Sequence, residues 1–103
     1  MTDVNLAAPL PKWLSLSADG VTVTLSSPAK FNGVVTDKLT MRAPSVKDVM
    51  GAQAAGGGDY EKMEMNMFCS LLMAEESELL TLKYKDYKRL AAGYFRLVEE
   101  DDM

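Results

Sequence analysis

The readable pattern begins with strict alternation. Trp13-Leu14-Ser15-Leu16-Ser17 and Val21-Thr22-Val23-Thr24-Leu25 place apolar residues at every second position. A period of two in a stretch rich in β-branched residues predicts half-buried strands. Ala18-Asp19-Gly20 between them is a turn signal, because Asp and Gly tolerate positive φ. With Asp19-Gly20 as a two-residue loop, Leu16 faces Val23 and Leu14 faces Leu25, so both apolar pairs share one face. Asn32-Gly33 is a stronger hairpin signal, and Val34 to Arg42 is its return strand, with Val35, Leu39 and Met41 at odd positions. A strict loop at Asn32-Gly33 sets Leu25 against Thr40 and Val23 against Arg42, and the apolar faces then disagree. A one-residue slip exchanges the two faces of a strand, so a β-bulge or strand break is expected near Ser27-Pro28 or Asp37. Pro28 has no N–H to give to a ladder and belongs at such an interruption.

After Arg42-Ala43-Pro44 the period lengthens. Ser45 is a predicted N-cap with Asp48 in the first turn of a short helix, weakened by Gly51 and ended by Gly56-Gly57-Gly58. Asp59 caps a second helix from Tyr60 to about Glu75. Tyr60, Met63, Met67, Leu71 and Ala74 form one apolar stripe at helical spacing, and Met65, Phe68 and Leu72 form a second beside it. Glu75-Glu76-Ser77-Glu78 is a polar break, and Leu79-Leu80-Thr81-Leu82 a short helical turn at most. A last helix runs from Lys83 or Tyr84 to Glu99, with Tyr84, Tyr87, Leu90, Ala91, Tyr94, Leu97 and Val98 on its apolar face. The expected fold is α+β: an antiparallel β-meander of about three strands (13–44) followed by about three α-helices (45–98). Residues 1–12, Ala-rich and punctuated by Pro9 and Pro11, are expected as a flexible arm, and 99–103 as an acidic tail opposing the helix macrodipole.

Composition narrows the chemistry. The 103 residues allow one domain, and they include no His and a single Cys, Cys69. Imidazole catalysis, an intrachain disulfide and a thiolate zinc cluster are therefore excluded. Cys69 sits among apolar neighbours with no base to activate it. The carboxylates of Glu61/Glu64 and Glu75/Glu76/Glu78 are ordinary for helix and turn surfaces. No nucleophile–base pair is present, so the protein is not expected to be an enzyme or to need a cofactor or metal. The Gly56-Gly57-Gly58 run is followed by Asp59 and Glu61 rather than Lys-Ser or Lys-Thr, which favours a link over a phosphate cradle. The net charge of −4 argues against a nucleic-acid partner. Lys85, Lys88, Arg89 and Arg96 are then a solvated helix face. Met1 to Lys12 lacks the basic start and apolar run of a secretory signal, and no stretch approaches the ~18 apolar residues of a membrane span.

Methionine is the unusual residue: of 8 in the chain, Met63, Met65, Met67 and Met73 lie in or at the end of the second helix. From Met67 to Ala74 nearly the whole helix circumference is apolar. Such a helix is either central to a core or covered by a partner. Methionine is flexible and polarisable, which suits an irregular core or a surface that adapts to another chain.

Pro11-Lys12-Trp13-Leu14, Asp19-Gly20, the strand end Val23-Thr24-Leu25-Ser26-Ser27-Pro28, Asn32-Gly33, and Leu39-Thr40-Met41-Arg42-Ala43-Pro44-Ser45-Val46-Lys47-Asp48 occur in that order. Leu72, Leu79, Leu82, Asp86-Tyr87 and Leu90 follow. Over about residues 11–98 this resembles the tail assembly chaperones of Mu-like and related contractile-tailed phages, the tail protein E family. In that pattern Gly20, Pro28, Asn32, Gly33, Arg42, Pro44, Asp48 and Asp86 are the structural positions. Gly56-Gly57-Gly58 and the dense Met run depart from it. The resemblance implies a non-catalytic phage or prophage protein of the host cytoplasm, absent from the finished virion. It implies binding to the tape measure protein and help in assembling tail tube subunits around it. It also implies an overlapping frame that is often joined by frameshifting. The expected partner-binding residues are Met63, Met65, Met67, Phe68, Leu71, Leu72, Tyr87, Leu90 and Tyr94. Self-association is expected from open sheet edges and excess apolar helix surface. The alternatives are a minor tail component retained in the virion and a small bacterial adaptor or regulator.

Overall fold

The structure, a computed structural model, describes residues 10–99; most of the expected arm (1–9) and all but the first residue of the acidic tail (100–103) lie outside the described residues. Leu10, the first described residue, packs against the core. Strands β1 (Leu14–Ser17), β2 (Gly20–Phe31) and β3 (Val34–Arg42) form an antiparallel meander in the order β1-β2-β3. Helices α1 (Val46–Gly56), α2 (Tyr60–Leu72), α3 (Glu76–Leu80) and α4 (Tyr84–Val98) follow. The fold is α+β, as expected.

The second hairpin follows its sequence signal. Phe31 stands opposite Val34, and Asn32 and Gly33 both adopt left-handed φ, 55° and 79°. That pair of conformations matches the twist of the flanking strands. The expected register correction is present. Thr24 pairs with Lys38 and Ala29 with Thr36, so Leu25, Ser26, Ser27 and Pro28 bulge opposite Asp37 alone. Beyond the bulge Val23 faces Leu39 and Val21 faces Met41, and the apolar faces agree.

The first hairpin differs from expectation. Leu14 pairs with Val23, Leu16 with Val21 and Ser17 with Gly20, so the loop is Ala18-Asp19 rather than Asp19-Gly20. Sliding the pairing by two residues leaves face parity unchanged, so alternation could not separate the two registers. Gly20 is drawn into β2 because the chain passes close to β3: any Cβ there would collide with the Met41 carbonyl oxygen. Gly20 is therefore a close-approach residue in a strand, not a turn residue.

Helix boundaries follow capping chemistry. Ser45 Oγ accepts from the Asp48 amide, while Asp48 Oδ2 accepts from the Ser45 amide at 2.8 Å, a complete capping box for α1. Gly51 does not interrupt α1, which ends at Gly56 with Gly57 in the left-handed conformation. Asp59 Oδ1 caps α2 by accepting from Glu61 and Lys62. The second helix stops at Leu72, three residues short of the expected Glu75, because Met73 turns left-handed (φ 55°) and the Ala74 amide closes onto Cys69 O at 3.0 Å. The predicted polar break instead opens a five-residue helix, α3, at whose N-terminus the Glu78 carboxylate accepts from the Glu75 amide at 3.0 Å. Among the described residues four helices thus follow the sheet where about three were expected.

Helices α2 and α4 cover the sheet, α4 packing on β2 and α2 on β3, while α1 packs on α2. The core joins Leu14, Val21, Val23, Leu25, Leu39 and Met41 of the sheet to Met67, Phe68 and Leu71 of α2 and Leu90 of α4. The Phe68 ring lies 5.5 Å from that of Tyr87 and 5.6 Å from that of Tyr94, in tilted geometry, so one α2 aromatic is held by two on α4. Gly93 lets α4 approach the sheet, since a Cβ would stand 3.1 Å from Val23 Cγ2 and 3.2 Å from Leu14 Cδ1. The other face of the sheet is polar, with the Thr22 and Thr40 hydroxyls hydrogen-bonded across it at 3.0 Å.

Candidate partner-binding surface

The nine residues expected to bind a partner divide by burial. Met67, Phe68, Leu71 and Leu90 are 2%, 0%, 2% and 0% exposed and lie in the hydrophobic core. The physical reason is that α2 is sandwiched between α1, the sheet and α4, which together use up the apolar circumference that sequence left unassigned. Met63, Met65, Leu72, Tyr87 and Tyr94 are half-buried and keep accessible edges.

Met65 and Tyr87 come together in a groove of about 340 Å³ formed by α2, α3 and the start of α4. Leu79, Leu80, Leu82 and Tyr84 complete its apolar lining, and Glu61 and Glu64 line it from α2. Met63 faces a separate hollow of about 330 Å³ with Gln53, Gly58, Asp59 and Tyr60. The sequence did not single out Leu80 and Tyr84 as contact residues; they are 67% and 75% exposed and form the groove's open lip. The usable signal was Leu79-Leu80-Thr81-Leu82. A helix as short as α3 buries one side, so Leu79 goes inward at 2% exposure and Leu80 is left outside.

The structural residues hold this groove in place. Asn32, at the tip of the β2–β3 hairpin, donates its amide to Glu78 Oε2 at 2.7 Å and its Nδ2 to Met73 O at 3.3 Å. The hairpin turn thereby fixes α3 and with it Leu79 and Leu80. The amides of Glu75 and Asn32 hold the Glu78 carboxyl below its usual range. Asp86, 1% exposed, accepts from the Ser26 amide (2.8 Å) and from Ser26 Oγ (3.0 Å), pinning the first turn of α4 to the β2 bulge. Arg89 on the next turn donates to Thr24 O at 2.7 Å and stacks over Trp13, 5.1 Å from its ring centre. Arg42 grips Asp48 through both guanidinium nitrogens, at 2.7 and 3.0 Å, tying the end of β3 to α1 around Pro44. That guanidinium and the Ser45 amide hold the Asp48 carboxyl far below the usual range.

Within the groove, the Tyr87 hydroxyl donates to Glu64 Oε1 at 2.9 Å. Burial, with the carboxylate of Glu64 beside it, pushes the Tyr87 phenol well above its ordinary range, so it remains a neutral donor. Burial likewise raises Tyr94. The Lys88 ammonium sits 5.7 Å from the centre of the Tyr84 ring. Cys69 is half-buried, and burial together with Glu76 and Glu78 raises its thiol, which disfavours a nucleophilic thiolate. Among the described residues no group of three or more His, Cys, Asp or Glu could hold a metal ion, and no helix is long and apolar enough to cross a membrane. The arrangement offers apolar contact edged by charge.

Residues 22–99 match the family described as phage tail assembly chaperone proteins, E, or 41 or 14. Neither the curated proteins nor the solved structures provide a match. The match begins within β2 and runs through the bulge, the Asn32-Gly33 turn, the Arg42–Asp48 clamp, α3, Asp86 and the whole of α4. The matched residues make up about three quarters of the chain, which therefore belongs to the phage tail assembly chaperone family.

Proposed function

We propose that the protein binds the tape measure protein of its phage in the host cytoplasm, keeping it soluble while tail tube subunits assemble around it, and that it is left out of the virion. Membership of the assembly-chaperone family supports phage tail proteins as partners. The observation that carries the finer reading is the groove of Met65, Leu79, Leu82 and Tyr87 with the exposed lip of Leu80 and Tyr84. A long helical chain with unburied apolar stripes needs such a surface, which works by contact and involves no bond chemistry. The half-buried Met63, Leu72 and Tyr94 extend apolar surface around α2 and α4. Strand β3 lies at the sheet edge, with Val34 and Val35 exposed, and is where copies of the chain would associate.

Co-expression with the tape measure protein of the same phage tests the reading. The native chain should move tape measure protein from the pellet to the soluble fraction, and Leu80→Glu should lose most of that effect while keeping its melting temperature within a few degrees. A tape measure protein equally insoluble with and without the chaperone refutes it. Detection of the chaperone at stoichiometric level in purified particles by mass spectrometry would instead make it a structural tail component.

A further inference from the structure

We propose that the groove selects amphipathic helices carrying basic residues along one flank of the apolar stripe, with that flank lying against α2. This rests on the reading that the groove is the partner site, and it specifies the chemistry of the segment bound. The eight lining residues are Glu61, Glu64, Met65, Leu79, Leu80, Leu82, Tyr84 and Tyr87, and the only charges among them are the two carboxylates on α2. Lys88 stands over Tyr84 on the α4 wall. A helix seated between these walls meets negative charge on one side and positive charge on the other.

The apolar surface has the form of a helix site more than of a small-molecule pocket. Leu80 and Tyr84 line the 340 Å³ hollow and are nonetheless exposed at 67% and 75%, so its apolar lining opens outward as a lip. A compact ligand covers so open a rim poorly, whereas side chains at i, i+3, i+4 and i+7 of one helix lie along it. Glu64 is already oriented by the Tyr87 hydroxyl at 2.9 Å, and a carboxylate that accepts one hydrogen bond keeps capacity for more. Glu61, one turn earlier on the same face, is exposed and lengthens the acidic wall. Charges at such a rim set orientation and partner choice more than total affinity.

The test uses the full-length protein and two synthetic helical peptides of about 20 residues, long enough to be helical in isolation. Both carry the same Leu stripe, flanked by Lys in one and by Glu in the other. The Lys-flanked peptide should bind roughly three- to tenfold more tightly at low salt, the size expected of two partly exposed ion pairs, and the gap should shrink in high salt. The double variant Glu61→Gln/Glu64→Gln should lose the preference, because the amide oxygen that replaces the Glu64 carboxylate still accepts from Tyr87 but carries no charge. Equal binding of the two peptides, binding of neither, or a preference that survives in the double variant overturns the inference. The co-expression experiment reports separately. Soluble tape measure protein without peptide preference removes the charge rule and leaves the chaperone role standing. Peptide preference without tape measure rescue removes the named partner and leaves the charge rule.

Discussion

Asp86 is the one charged side chain buried among the described residues, and its replacement tests how α4 is held. Its carboxylate takes both hydrogen bonds that Ser26 offers, across 60 residues of sequence. It also lies in the first turn of α4, where the helix dipole favours negative charge. Asp86→Ala removes two bonds to a charged acceptor, about 1.5–3 kcal/mol each before compensation, and the dipole interaction, about 0.3–1 kcal/mol. It also relieves the desolvation of a buried carboxylate, and because Ser26 is exposed, water replaces part of what is lost. The net expectation is a loss of about 2 kcal/mol, or roughly 8–16 °C in Tm for a domain of this size. Asp86→Asn keeps an acceptor for the Ser26 amide and a donor for Ser26 Oγ, so it should cost about half as much. Urea denaturation followed by circular dichroism measures all three proteins. A loss below about 0.5 kcal/mol for Asp86→Ala would show that the pin contributes nothing beyond solvation. Equal losses for the two variants would mean that charge, not hydrogen bonding, holds the helix.

Two further outcomes are expected. Phe68→Ala, which empties a site enclosed by Tyr87 and Tyr94, should cost about 3–5 kcal/mol by thermal melting and reduce partner capture only in proportion to the folded fraction; a normal melt with lost capture would make Phe68 a contact residue. The Asp48 carboxyl is depressed in the folded state by Arg42, so its stabilising contribution is present above the ordinary carboxylate value of about 3.9 and is lost as pH falls toward its folded value. The Tm gap between the native protein and Arg42→Ala should therefore be widest above about pH 4 and narrow steadily below it, and a gap independent of pH would refute the clamp.

Part of the site was legible in the residues. Asn32-Gly33, the bulge around Pro28, and the Ser45 and Asp59 caps act on backbone within a few residues, so a local reading finds them. Met65 and Tyr87, expected from the sequence as contact residues, line the groove together with Leu80 and Tyr84, which no such expectation covers. Their role depends on α3 being fixed by Asn32, a residue 46 positions before Glu78, and no local pattern carries that distance.

Sequence alone determined that a three-strand meander precedes a helical half, the need to correct register between β2 and β3, and the absence of imidazole chemistry. These follow from periodicity, backbone permissiveness and composition, each of which is complete within the chain's own order. Tertiary structure decided which apolar residues remain outside. A stripe such as Met63, Met67 and Leu71 shows which side chains share a helix face, but not how many neighbours press on it. The sheet, α1 and α4 together take Met67, Phe68 and Leu71 into the core, and leave Met65, Leu80, Tyr84 and Tyr87 lining a groove. It also decided the loop at Ala18-Asp19, because two registers that differ by two residues bury the same face and only the approach of Gly20 to β3 separates them.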